Sequence, residues 1–169
     1  QCLLALQAKR MVDAERAAQL YQSSAQPLFQ SEPDRFRASW SRSYQLLVEV
    51  ARARSQIDVA LKYLNAAMEQ QRLLVASERN GSNLQSLAAL LKTEAQLIVE
   101  STHNRSLFSQ QIESLENAII LLDESLTIYE ELGEATSSQA HSPYWRAIEI
   151  KHRLEGELEQ LRIHAFEGK

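Results

Sequence analysis

The stretch from Ile57 to Ala76, IDVALKYLNAAMEQQRLLVA, decides the fold. Ile57, Ala60, Leu61, Leu64, Ala67 and Met68 recur at three- and four-residue steps, the spacing of one face of an α-helix. Asp58, Lys62, Asn65, Glu69 and Arg72 fall on the opposite stripe. The small residues Ala60 and Ala67 flank the larger Leu64, so a second helix can approach closely there.

The pattern has two partial echoes. VDAERAAQLYQSSAQPLF overlays it with Ala14 on Ala60, a displacement of 46 residues. ENAIILLDESLTIYEEL overlays it with Ala118 on Ala60, a displacement of 58 residues, and puts Leu122 on Leu64. One helix repeated in this way predicts stacked helical hairpins, because no single hairpin can bury its own apolar face.

Composition agrees. The chain has 169 residues, enough for one domain with a real core, and only four glycines and three prolines. Its apolar and charged residues are mostly good helix formers. A net charge of −4 argues against nucleic acid as the main partner, since phosphate binding wants a basic surface. No apolar run reaches the 18 residues of a membrane span, so no membrane insertion is expected. Cys2 is the one cysteine, which excludes an internal disulfide and suits a reducing, cytoplasmic compartment without fixing it.

Along the chain, Gln1 to about Arg10 is expected to finish a helix begun upstream, making the chain a piece of a longer protein. The next helix should run from Val12 to Gln30, with Pro27 kinking it or ending it early. Ser31 to Asp34 is a break with Asp34 as the expected N-cap. The helix after it carries the stripe Phe36, Trp40, Tyr44, Leu47, Val48 and Ala51, and a turn at Ser55-Gln56 leads into the organising helix. Glu78 to Asn83 reads as a turn centred on Asn80-Gly81. A helix from Leu84 to about Glu100 carries two apolar stripes and should be covered on two sides. After a break at Ser101 to Ser106, a further helix starts between Leu107 and Glu113 and stops at Gly133. GEATSSQAHS reads as the most flexible segment. A last helix runs from Pro143, with Ser142 as N-cap, to about Ala165. Its narrow stripe of Ala147, Ile150, Leu154, Leu158, Leu161 and Ala165 suits a capping helix or a short self-association seam.

Tyr44-x2-Leu47-Val48-x2-Ala51 followed by Ala60-x3-Leu64-x2-Ala67 resembles the tetratricopeptide repeat, in which a Trp-x2-Leu-Gly-x2-Tyr helix precedes an Ala-x3-Phe helix. Ala118-x3-Leu122-x2-Ser125 is similar to the second half of that motif, and Leu87-x2-Leu90-Leu91 and Trp145-x2-Ile148 to the first. The helices here are longer than the family's, whose period is about 34 residues, and Val48 and Leu91 replace its glycine. The resemblance implies an all-α, right-handed stack of about seven helices with a C-terminal capping helix. It further implies a protein-interaction module, possessing no enzymatic activity and no cofactor, of the kind appended to signalling and regulatory proteins. In such arrays the first helix of each hairpin lines a concave groove. On this chain those positions are Arg42, Gln45, Glu49 and Arg52, then Gln85, Lys92 and Gln96, then Arg146 and Arg153. Five of the nine are basic in an acidic chain, which suits an acidic peptide held by charge-assisted hydrogen bonds.

The competing chemistry is a metal site. Glu100-x2-His103 and Glu149-x2-His152 have the spacing of the carboxylate-histidine pairs that hold di-iron centres in helical bundles. Glu100 to His103 straddles a helix end, however, where ligands are poorly held. No glycine-rich phosphate loop or nucleophile elbow occurs. Trp40, Tyr44 and Trp145 are expected in the core, because aromatics at helical spacing are more often buried than ligand-binding.

Overall fold

The computed structural model describes residues 11–102, 107–136 and 142–167. The expected helix of Gln1 to Arg10, with Cys2, lies outside the described residues, and so do His103 and residues 137–141 of the GEATSSQAHS segment. Six α-helices and no strand occur among the described residues: α1 (Met11–Ser31), α2 (Pro33–Ala53), α3 (Ile57–Ser77), α4 (Gly81–Thr102), α5 (Phe108–Glu131) and α6 (Pro143–Glu167). A single 3-10 turn, Glu134–Thr136, follows α5. The fold is all-α, and α1 packs on α2, α2 on α3 and α5 on α6. The chain divides into two compact units between Asn83 and Leu84.

In the first unit α3 follows the sequence pattern closely. Ala60, Leu64, Ala67 and Met68 are buried, and the whole polar stripe from Asp58 to Arg72 is exposed. The small residues do allow close approach: the Ser41 hydroxyl of α2 reaches the Ala67 carbonyl and donates to it at 3.1 Å. Further along the same seam Arg37 donates to Gln70 at 3.0 Å, and Tyr44 lies against Tyr63. Partners step forward on α2 as they step back on α3, so the two helices run antiparallel. α1 and α2 are antiparallel by the same test. Ala14 and Ala18 near the start of α1 cluster with Leu47 and Val50 near the end of α2, and Glu15 pairs with Arg54 at 2.7 Å. Phe29, Trp40, Tyr44 and Tyr63 form a continuous run of ring contacts; Trp40 and Tyr44, expected in the core, are half-buried instead, with Tyr44 packed against its edge.

Three local expectations are corrected. α1 does not end early at Pro27 but continues to Ser31. Pro27 is exposed, so the carbonyl it leaves unpaired faces the solvent side. The break between α1 and α2 shrinks to Glu32, and Asp34 is not the N-cap; it sits in the first turn and pairs with Arg37 at 2.9 Å. Pro33 at the first helical position accounts for this, since its preset backbone angle starts the helix one residue before Asp34 and so puts Asp34 inside the first turn. Gly81 is not the centre of a turn but opens α4, capped by Asn80, whose Oδ1 accepts from the Asn83 N–H at 2.8 Å.

In the second unit α4 is buried along both of its stripes, at Leu84, Leu87, Leu91 and Ala95 and also at Leu90 and Leu97. α5 meets it at another small-residue contact, where the buried Ser125 hydroxyl donates to the Ala88 carbonyl at 2.8 Å. α5 stops where Gly133 adopts φ +77°, the left-handed conformation that glycine takes without penalty. Ser142 caps α6, its Oγ accepting from the Trp145 N–H at 3.4 Å. α6 runs antiparallel to α5, tied by Tyr144–Glu130, Lys151–Asp123 and Arg162–Glu116. Its apolar stripe is used in that contact: Ala147, Leu154 and Leu158 are buried, while Glu149, Glu155 and Glu159 stay exposed.

Candidate functional site

The nine groove positions divide between the units. Arg42, Gln45, Glu49 and Arg52 all lie on α2 in the first unit. Arg42 and Glu49 are exposed, and Arg42 donates to Gln45 at 2.9 Å. The other five belong to the second unit. Gln85 from the first turns of α4 donates to Glu134, and Lys92, two turns later on α4, feels the charges of both Glu134 and Arg146, the latter from the start of α6. Gln96 is half-buried further along α4.

Glu134 is held there by a short chain of causes. Gly133 reverses the backbone at the end of α5, and the single 3-10 turn after it packs against both α5 and α6. Glu134 Oε1 then accepts from Gln85 Nε2 at 3.3 Å. Its Oε2 is buried and finds no hydrogen-bond donor among the described residues. Burial holds Lys92 below the ordinary lysine range, the Arg146 charge pushes it the same way, and Glu134 opposes them. Tyr129 borders the same group: burial, reinforced by the Glu134 charge, pushes its phenol up to about 12. Lys92 thus lies within reach of a second cation, Arg146, and of one carboxylate charge, in a half-buried setting.

Arg153 stands elsewhere. It lies on the rim of a cleft of about 810 Å³ between the end of α4, the start of α5 and the second half of α6. Val99, Leu115 and Leu161 supply apolar walls, and Gln111, Gln160 and His164 supply polar edges. Gly156 opens the α6 side, since a Cβ added there would meet nothing within 4 Å. Arg153 is exposed and 3.9 Å from Glu157, so it is only loosely paired.

Trp145 is a partial exception to the expectation for aromatics. It is 40% exposed and lies edge-on to Tyr144, whose hydroxyl donates to Glu130 at 3.2 Å. Glu149 and His152 are exposed on α6, and among the described residues no group of three His, Cys, Asp or Glu side chains gathers as a metal site would require. Among them, too, no helix is long and apolar enough to cross a membrane.

Glu134, which accepts from Gln85, carries no sequence signal. It sits in a stretch whose composition reads as flexible, and only the αL glycine before it hints that the chain turns back there. Comparison of the chain with protein-family models, curated proteins and solved structures finds no match.

Proposed function

We propose that this chain is a protein-interaction module, a tetratricopeptide-like stack of helical hairpins that takes an acidic segment of a partner protein. One observation carries the reading: Lys92 on α4 feels the charge of Arg146 on α6, two cations from helices far apart in sequence, beside the contact of Gln85 with Glu134. A partner carboxylate would answer these two cations, and charge-assisted hydrogen bonds of this kind are shorter and stronger than neutral ones. The antiparallel hairpins α2–α3 and α5–α6 support the repeat-like half of the reading. A role in a signalling or regulatory protein follows from the family resemblance alone.

The test is binding of labelled peptides of equal length, one acidic, one neutral and one basic, to the full chain. The acidic peptide should bind best and weaken as salt rises, because exposed charges are screened. Lys92→Gln and Arg146→Gln should each weaken it by roughly tenfold or more, the value of a charge-assisted contact at about 1.5–3 kcal/mol. Equal binding of all three peptides, or acidic binding untouched by both substitutions, would remove the second unit as the recognition site.

A further inference from the structure

The turn between α3 and α4 holds a reactive dipeptide in an unreactive pose. Of the five asparagines in the chain, Asn80 alone precedes a glycine. An asparagine in that setting is open to attack by the backbone nitrogen of the next residue, because glycine has no side chain to shield it. Gly81 is exposed, and as the first residue of α4 its N–H has no acceptor within the helix. The chemistry is open.

The conformation is closed. Attack needs the Asn80 carboxamide to swing over the Gly81 nitrogen, so that Cγ, Cβ, Cα, the carbonyl carbon and that nitrogen form a ring. Instead Asn80 Oδ1 accepts from the Asn83 N–H at 2.8 Å, which commits the carboxamide to the third residue on. The cap is itself latched. Asn83 Nδ2 donates to the Glu78 carbonyl at 2.9 Å, and the Asn83 carbonyl accepts from Gln71 Nε2 at 2.9 Å. Gln71 is 3% exposed, and its Oε1 accepts from the Ser41 hydroxyl at 3.4 Å. One buried side chain of α3 thus ties the first turn of α4 to α2, and every residue of this latch lies in the first unit.

We propose that Asn80–Gly81 is a guarded modification site: the cap keeps Asn80 intact in the folded chain, and local opening of the α4 start exposes it to conversion into aspartate and isoaspartate. In the open state the Gly81 amide gives its proton to solvent base, its nitrogen bonds to Asn80 Cγ, and the side-chain nitrogen leaves as ammonia. Water then opens the resulting succinimide. Cleavage of the new bond between nitrogen and Cγ gives aspartate. Cleavage of the original peptide bond gives isoaspartate, with the main chain routed through Cγ. The two products act oppositely on α4. Aspartate is a good N-cap, and its charge is favourable at a helix N-terminus. Isoaspartate lengthens the main chain by one carbon at the cap, so the hydrogen bond to the Asn83 N–H is lost.

The test holds the full chain in mildly alkaline buffer, folded and in concentrated urea, and reads conversion by mass spectrometry with fragment ions placing the change. Unfolded chain should convert at Asn80 ahead of the other asparagines. Folded chain should convert there roughly tenfold or more slowly, since reaction then waits on local opening. Gln71→Leu removes the donor to Asn83 and should speed conversion of the folded chain severalfold, but not of the unfolded chain. Gly81→Ala should suppress it in both. Urea below the unfolding transition should leave the folded rate nearly unchanged, because a frayed turn exposes little surface. Equal rates in folded and unfolded wild type would overturn the guard, and first conversion at another asparagine would overturn the site. A folded rate that climbs with urea in step with global unfolding, or one that Gln71→Leu leaves unchanged, would overturn the latch. If Gln71→Leu does not fold, Asn83→Ala takes its place: it removes the bond to the Glu78 carbonyl, keeps the capped N–H, and must speed conversion likewise.

Discussion

Ser55 shows how much one backbone angle can matter. α2 ends in a pair of reversed hydrogen bonds, from the Ser55 N–H to the Arg52 carbonyl at 2.9 Å and from the Gln56 N–H to the Ala51 carbonyl at 3.0 Å. This is the Schellman arrangement, and it needs a left-handed residue at Ser55, which has φ 58°. Glycine occupies such a position without strain, whereas a residue with a Cβ loses roughly 1–2 kcal/mol. Ser55 is exposed, so nothing else depends on its side chain. Ser55→Gly should therefore stabilise the protein by about 1 kcal/mol, less whatever glycine costs through the unfolded chain. Urea unfolding of the two proteins checks it, and a lower midpoint for Ser55→Gly would mean that the turn is held differently.

At the scale of the element, α3 is where deletion of a side chain should be felt most directly. Leu64 is fully buried between Ala60 and Ala67, which are also fully buried. Small flanking residues bring the neighbouring backbone close, as the Ser41–Ala67 hydrogen bond shows, and leave little freedom for the site to collapse. Leu64→Ala should cost roughly 2–5 kcal/mol. A thermal melt indistinguishable from wild type would contradict the burial assigned to this helix. By contrast Leu73, on the same helix and 45% exposed, should tolerate alanine within about 0.5 kcal/mol, as surface changes usually do. The two substitutions remove the same atoms, so their difference isolates the face and not the residue type.

For the whole molecule the informative variable is alkaline pH. Tyr129 is the largest fully buried side chain among the described residues, and its phenol is pushed up to about 12, first by burial and then by the Glu134 charge. Below pH 10 the phenol is protonated in both folded and unfolded chains, and its contribution is fully present. Between pH 10 and about 12 the unfolded chain gives up the proton and the folded chain keeps it, so the unfolded state gains and stability falls. Tyr44 and Tyr144 are shifted in the same direction and add to the fall. Tyr129→Phe should flatten it, which urea midpoints at pH 8, 10 and 11 would measure. Parallel curves for the two proteins would exclude Tyr129 as a main contributor to the alkaline limb.

The helices were legible because burial of one face imposes a period on the side chains that need not consult the rest of the molecule. Ala60, Leu64 and Ala67 announce α3, and Gly133 and Pro143 mark an end and a start through backbone chemistry that is local. Where local signals compete, neighbours in space or along the turn decide. Pro27 is carried through α1, and Pro33 starts α2 one residue before Asp34. The basic excess at the groove positions could likewise be counted from the sequence, but not its grouping. Lys92 and Arg146 feel one another's charge only once α4 and α6 have been brought together by folding, and Glu134 reaches Gln85 only because the backbone reverses at Gly133. Periodicity is a property of one helix and is written in its residues. The charge balance of the site depends on distances between residues remote in sequence, and those exist only once the helices have packed.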